Sequence, residues 1–254
     1  MRDFTLLMYQ ELLDKFIEYE YSFITFEKFL QNKNGIKKCI ILRHDIDKKP
    51  KSALIMAELE HSLGINSTYY FRIIPQSFDS TIIKKIVTLN HKVGYHYENL
   101  STAKGNFDVA IETFKKDLNT FRRYYPVETI CMHGSPLSKW DNKQLWKHNN
   151  YRDYGIIGEP YFDIDYNKVA YLTDTGRKWN SSTENIRDTV TTKYNFNYST
   201  TAEIINDIKR NNLPNQILIN IHPQRWTNKK LEWIQEMFYQ ILKNSIKRLI
   251  IGIK

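Results

Sequence analysis

A chain of 254 residues, 41% hydrophobic and 14% aromatic, carries enough apolar side chain for a substantial core, in one or two domains by length alone. No apolar run approaches the ~18 residues needed to span a bilayer, and the opening MRDFTLLMYQELLDKF, broken by Glu11, Asp14 and Lys15, reads as an amphipathic helix and not a signal peptide. The net charge of +9 is spread over scattered lysines with no long basic cluster, zinc-finger spacing or RNA-binding aromatic motif, so a nucleic-acid partner is not expected.

In chain order, Leu6–Tyr19 has apolar residues at helical spacing. Tyr21–Leu30 reads as a short strand and a helical turn, and Asn32–Gly35 as a turn. Lys38–His44 is the first central strand. Pro50 suits a helix start, and the helix that follows should end at Gly64. Ser67–Ile74 is rich in aromatic and β-branched residues and reads as a strand. Thr81–Leu89 is a helix, Lys92–His96 a strand, Asp108–Tyr124 a helix and Thr129–Met132 a strand. A helix over Asp141–Lys147 follows. Tyr151–Asp165 lacks periodicity and reads as an active-site loop with a short strand near Gly155–Ile157. Val169–Leu172 is a strand, and Asn180–Thr200 is polar with no clear pattern. Thr201–Lys209 is a helix and Gln216–Ile221 the last strand. Lys229–Ile246 is a long amphipathic helix with Leu231, Ile234, Phe238, Ile241 and Leu242 on one side. Strands alternate with helices throughout, which predicts an α/β fold: a distorted (β/α) barrel-like parallel sheet in a single domain over residues 1–254.

Five apolar segments end in ionisable groups. Cys39–Asp47 reads CIILRHDID, so Arg43, Asp45 and Asp47 should share one strand face, with His44 on the other. Two carboxylates so close repel unless a cation lies between them or one is protonated. His96 and Glu98 follow Gly94; His133 follows Thr129–Met132; Asp174, Arg177 and Trp179 follow Val169–Leu172; and His222, Arg225 and Trp226 follow Gln216–Ile221. The carboxyl ends of strands carry the active site in α/β sheets, so Asp45, Asp47, His96, His133 and His222 are expected to converge on one rim.

The residue types suggest a metal-assisted hydrolase. A catalytic zinc has three protein ligands and an open position. Asp47 and His96 are candidate ligands, with His133 or Glu98 as the third, Asp45 as proton acceptor and His222 as proton donor. Tyr95, Tyr97, Trp179 and Trp226 are candidates to stack on a sugar, Arg177 and Arg225 to bind a carboxylate or phosphate or to orient Asp45, and Arg43 to bind substrate or support the site from behind. Asp174 would orient Arg177 or lie in a surface turn. Each histidine alone has a plainer reading as a hydrogen-bonded core or turn residue. Cys39 and Cys131 lie in apolar segments and are expected to be reduced, with a cytoplasmic location.

In their order these motifs resemble a polysaccharide deacetylase, carbohydrate esterase family four, in a divergent branch met with bacterial surface-polysaccharide synthesis. The resemblance spans about Lys38 to Trp226. Asp45 and Asp47 match the family's aspartate pair, with Ile46 between them. His96 matches its second motif, whose other histidine position is Leu100 here. HGSP at His133–Pro136 occupies the place of the third, Asp174 and Trp179 match the fourth, and His222 the fifth. The resemblance implies a distorted (β/α) barrel that uses a divalent metal, commonly zinc, to remove an N-acetyl or related acyl group from an amino sugar. The substrate would be a nucleotide-linked or lipid-linked precursor, with no stable membrane insertion. The competing expectation is a carbohydrate-binding protein that kept the cleft and lost the metal.

Overall fold

The computed structural model describes residues 2–32, 35, 37–179 and 187–252, with backbone alone for 247–252. The expected turn at Asn32–Gly35 and the polar stretch Asn180–Thr200 fall partly outside the described residues; 187–200 forms no regular element.

Seven strands are present among the described residues: β1 (Ser22–Ile24), β2 (Cys39–Ile46), β3 (Thr68–Phe71), β4 (Lys92–Tyr97), β5 (Ile130–Met132), β6 (Ala170–Thr173) and β7 (Gln216–Ile221). All pair in parallel, in the order β5-β4-β3-β2-β7-β6. β1 lies beside the first half of β2 (Ser22↔Cys39, Ile24↔Ile41) and β3 beside its second half (Arg43↔Thr68, Ile46↔Phe71). The sheet is a curled half-barrel in a single domain, as alternating strand and helix patterns predict. Parallel strands need long crossovers, and helices supply them: α1 (Leu6–Glu18), α2 (Phe26–Gln31), α3 (Pro50–Ser62), α4 (Ser80–Thr88), α5 (Asn99–Thr102), α6 (Phe107–Arg122), α7 (Pro160–Asp163), α8 (Thr201–Lys209) and α9 (Lys230–Gly252).

Local chemistry sets the boundaries. Thr5, Asp79 and Asn106 cap α1, α4 and α6 through side-chain oxygens that accept backbone N–H groups. Pro50 sits in the first turn of α3, and Gly64 beyond its end has φ +71°. A side chain at Gly94 would collide with the Tyr70 ring at 2.3 Å, so glycine lets β4 lie beside that ring two residues before His96.

β2 is buried along its whole length, and its alternation divides the core. Ile40 and Leu42 pack with the apolar residues of α1 and α8, and Ile46 with those of α4 and α6. Cys39 and Ile41 face inward with Phe26, Phe29, Tyr166 and Tyr171. Both cysteines are buried and free.

Three expected elements differ. Asn142–Lys147 is a 3-10 helix. Tyr151–Asp165 holds a 3-10 turn (Tyr151–Tyr154) and α7, with only an isolated bridge, Thr129↔Gly158, in place of a strand. The apolar side expected to seat α9 points largely to solvent: Leu231, Phe238, Ile241 and Leu242 are exposed.

Candidate active site

The carboxyl ends of β2, β4, β5 and β7 open into one cavity of about 740 Å³. Asp45, Asp47, His96, Glu98, His133, His222 and Arg225 all line it. Parallel pairing brings them together, because every strand delivers its last side chains to the same rim.

Asp45 is buried on the inner face of β2, and its own strand supplies its partner. Arg43, two residues earlier, donates through Nε to Oδ1 at 3.0 Å and through a terminal nitrogen to Oδ2 at 2.6 Å. Asn220 adds a donation to Oδ2 at 3.0 Å. Burial disfavours the carboxylate, but the charge and hydrogen bonds of the Arg43 guanidinium outweigh it and hold Asp45 well below the usual range. Tyr161 lies over the Arg43 guanidinium at 5.2 Å. The Tyr161 hydroxyl in turn donates to Asp188, which also accepts from Tyr171, Thr173 and Thr175.

Asp47 stands differently. Its Oδ1 is buried and has no hydrogen-bond partner among the described residues. His133 Nε2 lies 3.4 Å from it and His96 Nε2 3.7 Å; His222 Nε2 is 4.0 Å from Oδ2. Gln224 donates to Oδ2 at 3.3 Å. Burial again disfavours the charge, but His133, His222 and Arg72 nearby hold the Asp47 carboxyl well below the usual range.

The other ring nitrogens are engaged. His96 Nδ1 lies 2.9 Å from the Cys131 carbonyl, so it carries the proton and leaves the Nε2 lone pair facing Asp47. Burial lowers the His96 pKa to about 4 despite the attraction of Asp45, which keeps the ring neutral near pH 7. His133 Nδ1 lies 3.0 Å from Glu98 Oε2, and Arg72 donates to Glu98 Oε1. Glu98, although partly buried, is held down to about 2 by His133 and Arg72. A histidine whose far nitrogen is fixed by a carbonyl or carboxylate is the usual orientation for metal ligation.

The set Asp47, His96 and His133 therefore fits a divalent cation. One ligand atom from each lies within 4.8 Å of the others. Two ligands about 2.0–2.1 Å from a tetrahedral zinc would be about 3.3 Å apart, close to the separations from Asp47. The orphaned Oδ1 is the acceptor that a cation would satisfy. A second grouping, Asp45, His96 and Cys131, fits less well: burial pushes the Cys131 thiol far up, and Asp45 is engaged by Arg43.

On the far side of the cavity, His222 Nδ1 lies 2.7 Å from Asp174 Oδ1. Asp174 is fully buried and also accepts from Arg225 at 2.6 Å and Trp226 Nε1 at 2.7 Å. Despite its burial, Arg225 and His222 keep it ionised.

Several expected contacts are absent. Tyr95 is in the core against Phe114 and Phe121, with its hydroxyl on Asn99 and Asp117, because it alternates with His96 along β4. Trp179 is buried and donates to Thr201. Trp226 is also buried and touches the site only through Asp174, so neither tryptophan offers a face to a sugar. Arg177 turns away over the Phe4 and Trp233 rings and donates to the Trp233 carbonyl. Asp174 orients His222 in its place, and Asp45 takes its guanidinium from Arg43 and not from Arg177 or Arg225.

Asn220, Tyr161, Gln224, Arg187 and Asp188 line or support the site without a motif that marks them, and Arg72 joins it through Glu98. Asn220 alternates with His222 along β7, a legible signal. Arg187 and Asp188 lie in a polar stretch with no periodicity, where nothing in the sequence marks them.

No family model matches the chain, and no curated protein does. Among solved structures it is similar to a family 4 carbohydrate esterase (CE4) pseudoenzyme from Bacillus anthracis (13% identity, TM-score 0.46, 82% of this chain and 62% of that one). It is also similar to a CE4 esterase from Streptococcus mutans (16%, TM-score 0.48, 89% and 88%) and a family 4 carbohydrate esterase from Streptomyces lividans in complex with acetate (13%, 0.42, 82% and 90%). The chain spans less than two thirds of the first of these. At such identities and TM-scores the likeness says nothing about activity.

Proposed function

We propose that this protein is a metal-dependent hydrolase that removes an N-acetyl or related N-acyl group from an amino sugar in a nucleotide-linked or lipid-linked precursor. The observation that carries the metal is the buried, unpartnered Asp47 Oδ1 facing the Nε2 atoms of His96 and His133. The order of strand-end motifs supports the substrate class.

Asp47, His96 and His133 would hold the ion, with Glu98 orienting His133. A divalent cation there supplies a water of lowered pKa, about 7 for zinc, and polarises the acyl oxygen. Asp45 accepts the proton of the attacking water. Arg43 and Asn220 fix its orientation and keep it unprotonated, ready for that role. His222 presents Nε2 to the cavity, while Asp174 holds its other nitrogen. It gives a proton to the departing sugar nitrogen as the C–N bond breaks, leaving a free amine and a carboxylate. Arg72 and Arg187 line the wall, each paired with a carboxylate, Glu98 and Asp141 respectively.

Elemental analysis of protein purified without chelator, beside Asp47→Ala, tests this. About one divalent ion per chain is expected. The variant should lose it, along with at least about a thousandfold of acetate release from N-acetylated nucleotide sugars. No ion even after metal is added back would reject the hydrolase and leave a carbohydrate-binding protein.

A further inference from the structure

Helix α9 inverts the usual amphipathic arrangement. Its buried positions are polar and spaced four apart: Glu236, Gln240 and Asn244. Lys48 donates to Glu236 at 3.1 Å, Gln240 to Asn244 at 2.8 Å, and Asn244 to the Gly176 carbonyl at 3.0 Å. The opposite side shows Leu231 (76% exposed), Phe238 (63%), Leu242 (62%) and Ile241 (54%) to solvent. A surface helix of a globular protein normally turns its apolar stripe to the core, and an exposed apolar patch marks an interaction surface.

Two observations identify what covers it. The first is position. Tyr239, Leu242 and Ile246 of α9 also line the cavity. Leu137, on the loop after His133, lines it too and is 78% exposed. The apolar stripe is therefore continuous with the mouth of the active-site cavity. The second is charge. Lys230, Lys243 and Lys139 stand exposed beside these apolar residues in the chain, as does Lys229, which is paired with Glu232. Of the acidic side chains on α9, Glu236 is buried against Lys48, and Glu232 is paired with Lys229 at 3.0 Å. An apolar stripe flanked by cations matches the boundary between acyl chains and anionic headgroups. A second copy of the chain fits poorly, since it would add the same lysines to the interface while both carboxylates of α9 are already paired.

We infer that α9 and the Leu137 loop seat the cavity mouth on an anionic lipid surface, so that the substrate's sugar enters from the headgroup layer on a lipid carrier. The sugar in this statement rests on the function proposed above; the docking rests on α9 alone.

Vesicle flotation of the full chain, with phosphatidylcholine vesicles containing or lacking phosphatidylglycerol, tests the docking. The protein should float with the anionic vesicles only, less so as salt is raised. Phe238→Ser combined with Ile241→Ser, at exposed positions outside the cavity, should cut partitioning at least about tenfold. Metal content and turnover of a soluble acetylated amino sugar should not change. Failure to float, or equal flotation by the double variant, overturns the inference. So does a concentration-dependent dimer, abolished by the same substitutions in the absence of lipid. Metal and acetate release without flotation would sink the docking alone, and flotation without metal the hydrolase alone.

Discussion

His44 and Asp45 are neighbours on β2, and they enter two buried acid–histidine clusters of opposite character. On the outer face, Glu60 accepts from the Tyr9, Ser67 and Tyr69 hydroxyls at 2.6, 2.6 and 3.0 Å, with His44 Nε2 at 2.8 Å. Every oxygen of that carboxylate is engaged, and the cluster is fully buried. On the inner face, Asp47 keeps one oxygen without a partner while imidazole nitrogens converge on it from three strands. A carboxylate among histidines is thus no evidence of a site by itself. Satisfaction of the carboxylate distinguishes the two: each Glu60 oxygen accepts from hydroxyls, although the His44 ring nitrogens make no hydrogen bond among the described residues, whereas Asp47 keeps an oxygen that a cation would satisfy.

Substitution on each face tests that contrast. Asp45→Asn should lower turnover by about 10²–10⁴ and leave metal content unchanged, read by steady-state rates beside elemental analysis. A fully active variant would remove Asp45 as the proton acceptor. Glu60→Ala leaves three buried hydroxyls and His44 without their acceptor. It should cost about 3–5 kcal/mol in urea unfolding, with metal content unchanged. If it lost metal while staying folded, the outer cluster would not be purely structural.

Glu159 offers an intermediate case. It is buried and, among the described residues, accepts backbone N–H groups alone, from Met132 at 3.0 Å and from Tyr161. Burial pushes its carboxyl up to about 7 against those two bonds. Its folded pKa lies above its unfolded value, so its stabilising contribution is complete below pH of about 4.5 and is lost as pH rises through about 7, some 3 kcal/mol in all. Thermal melts across that range should show the decline in the parent chain and a flatter profile in Glu159→Gln. The smallest effect is expected at Tyr95→Phe. Losing the bonds to Asn99 and Asp117 should cost about 1 kcal/mol of stability and none of the activity. A large fall in turnover would return Tyr95 to the rim.

Much of this was legible in the chain itself. Alternation along CIILRHDID put Arg43 and Asp45 on one face and His44 on the other, because the side-chain period of a strand is two. Five apolar segments ending in ionisable groups pointed to a shared rim, because parallel strands end together. The same alternation, applied strictly to YHY and INIH, would have sent Tyr95 to the core and found Asn220. The tryptophans were misplaced for another reason: proximity in sequence to a motif does not say which way a bulky ring packs, and the core claims the ring wherever its N–H finds a partner, as Trp179 does on Thr201.

The strand segments, the strand-end chemistry and the alternation were thus determined by the sequence, since each is a local property of the chain; the order of the strands in the sheet was not. Tertiary structure alone decided that Arg43 and not Arg177 holds Asp45, that Asp174 serves His222, that Glu98 orients His133, and that Arg187 and Asp188 reach the cavity from an aperiodic stretch. It also decided that α9 buries its polar side. The helical spacing of Leu231, Phe238 and Leu242 reveals an apolar stripe, but which side meets the body depends on partners distant in sequence, Lys48 and Gly176, that no local pattern contains.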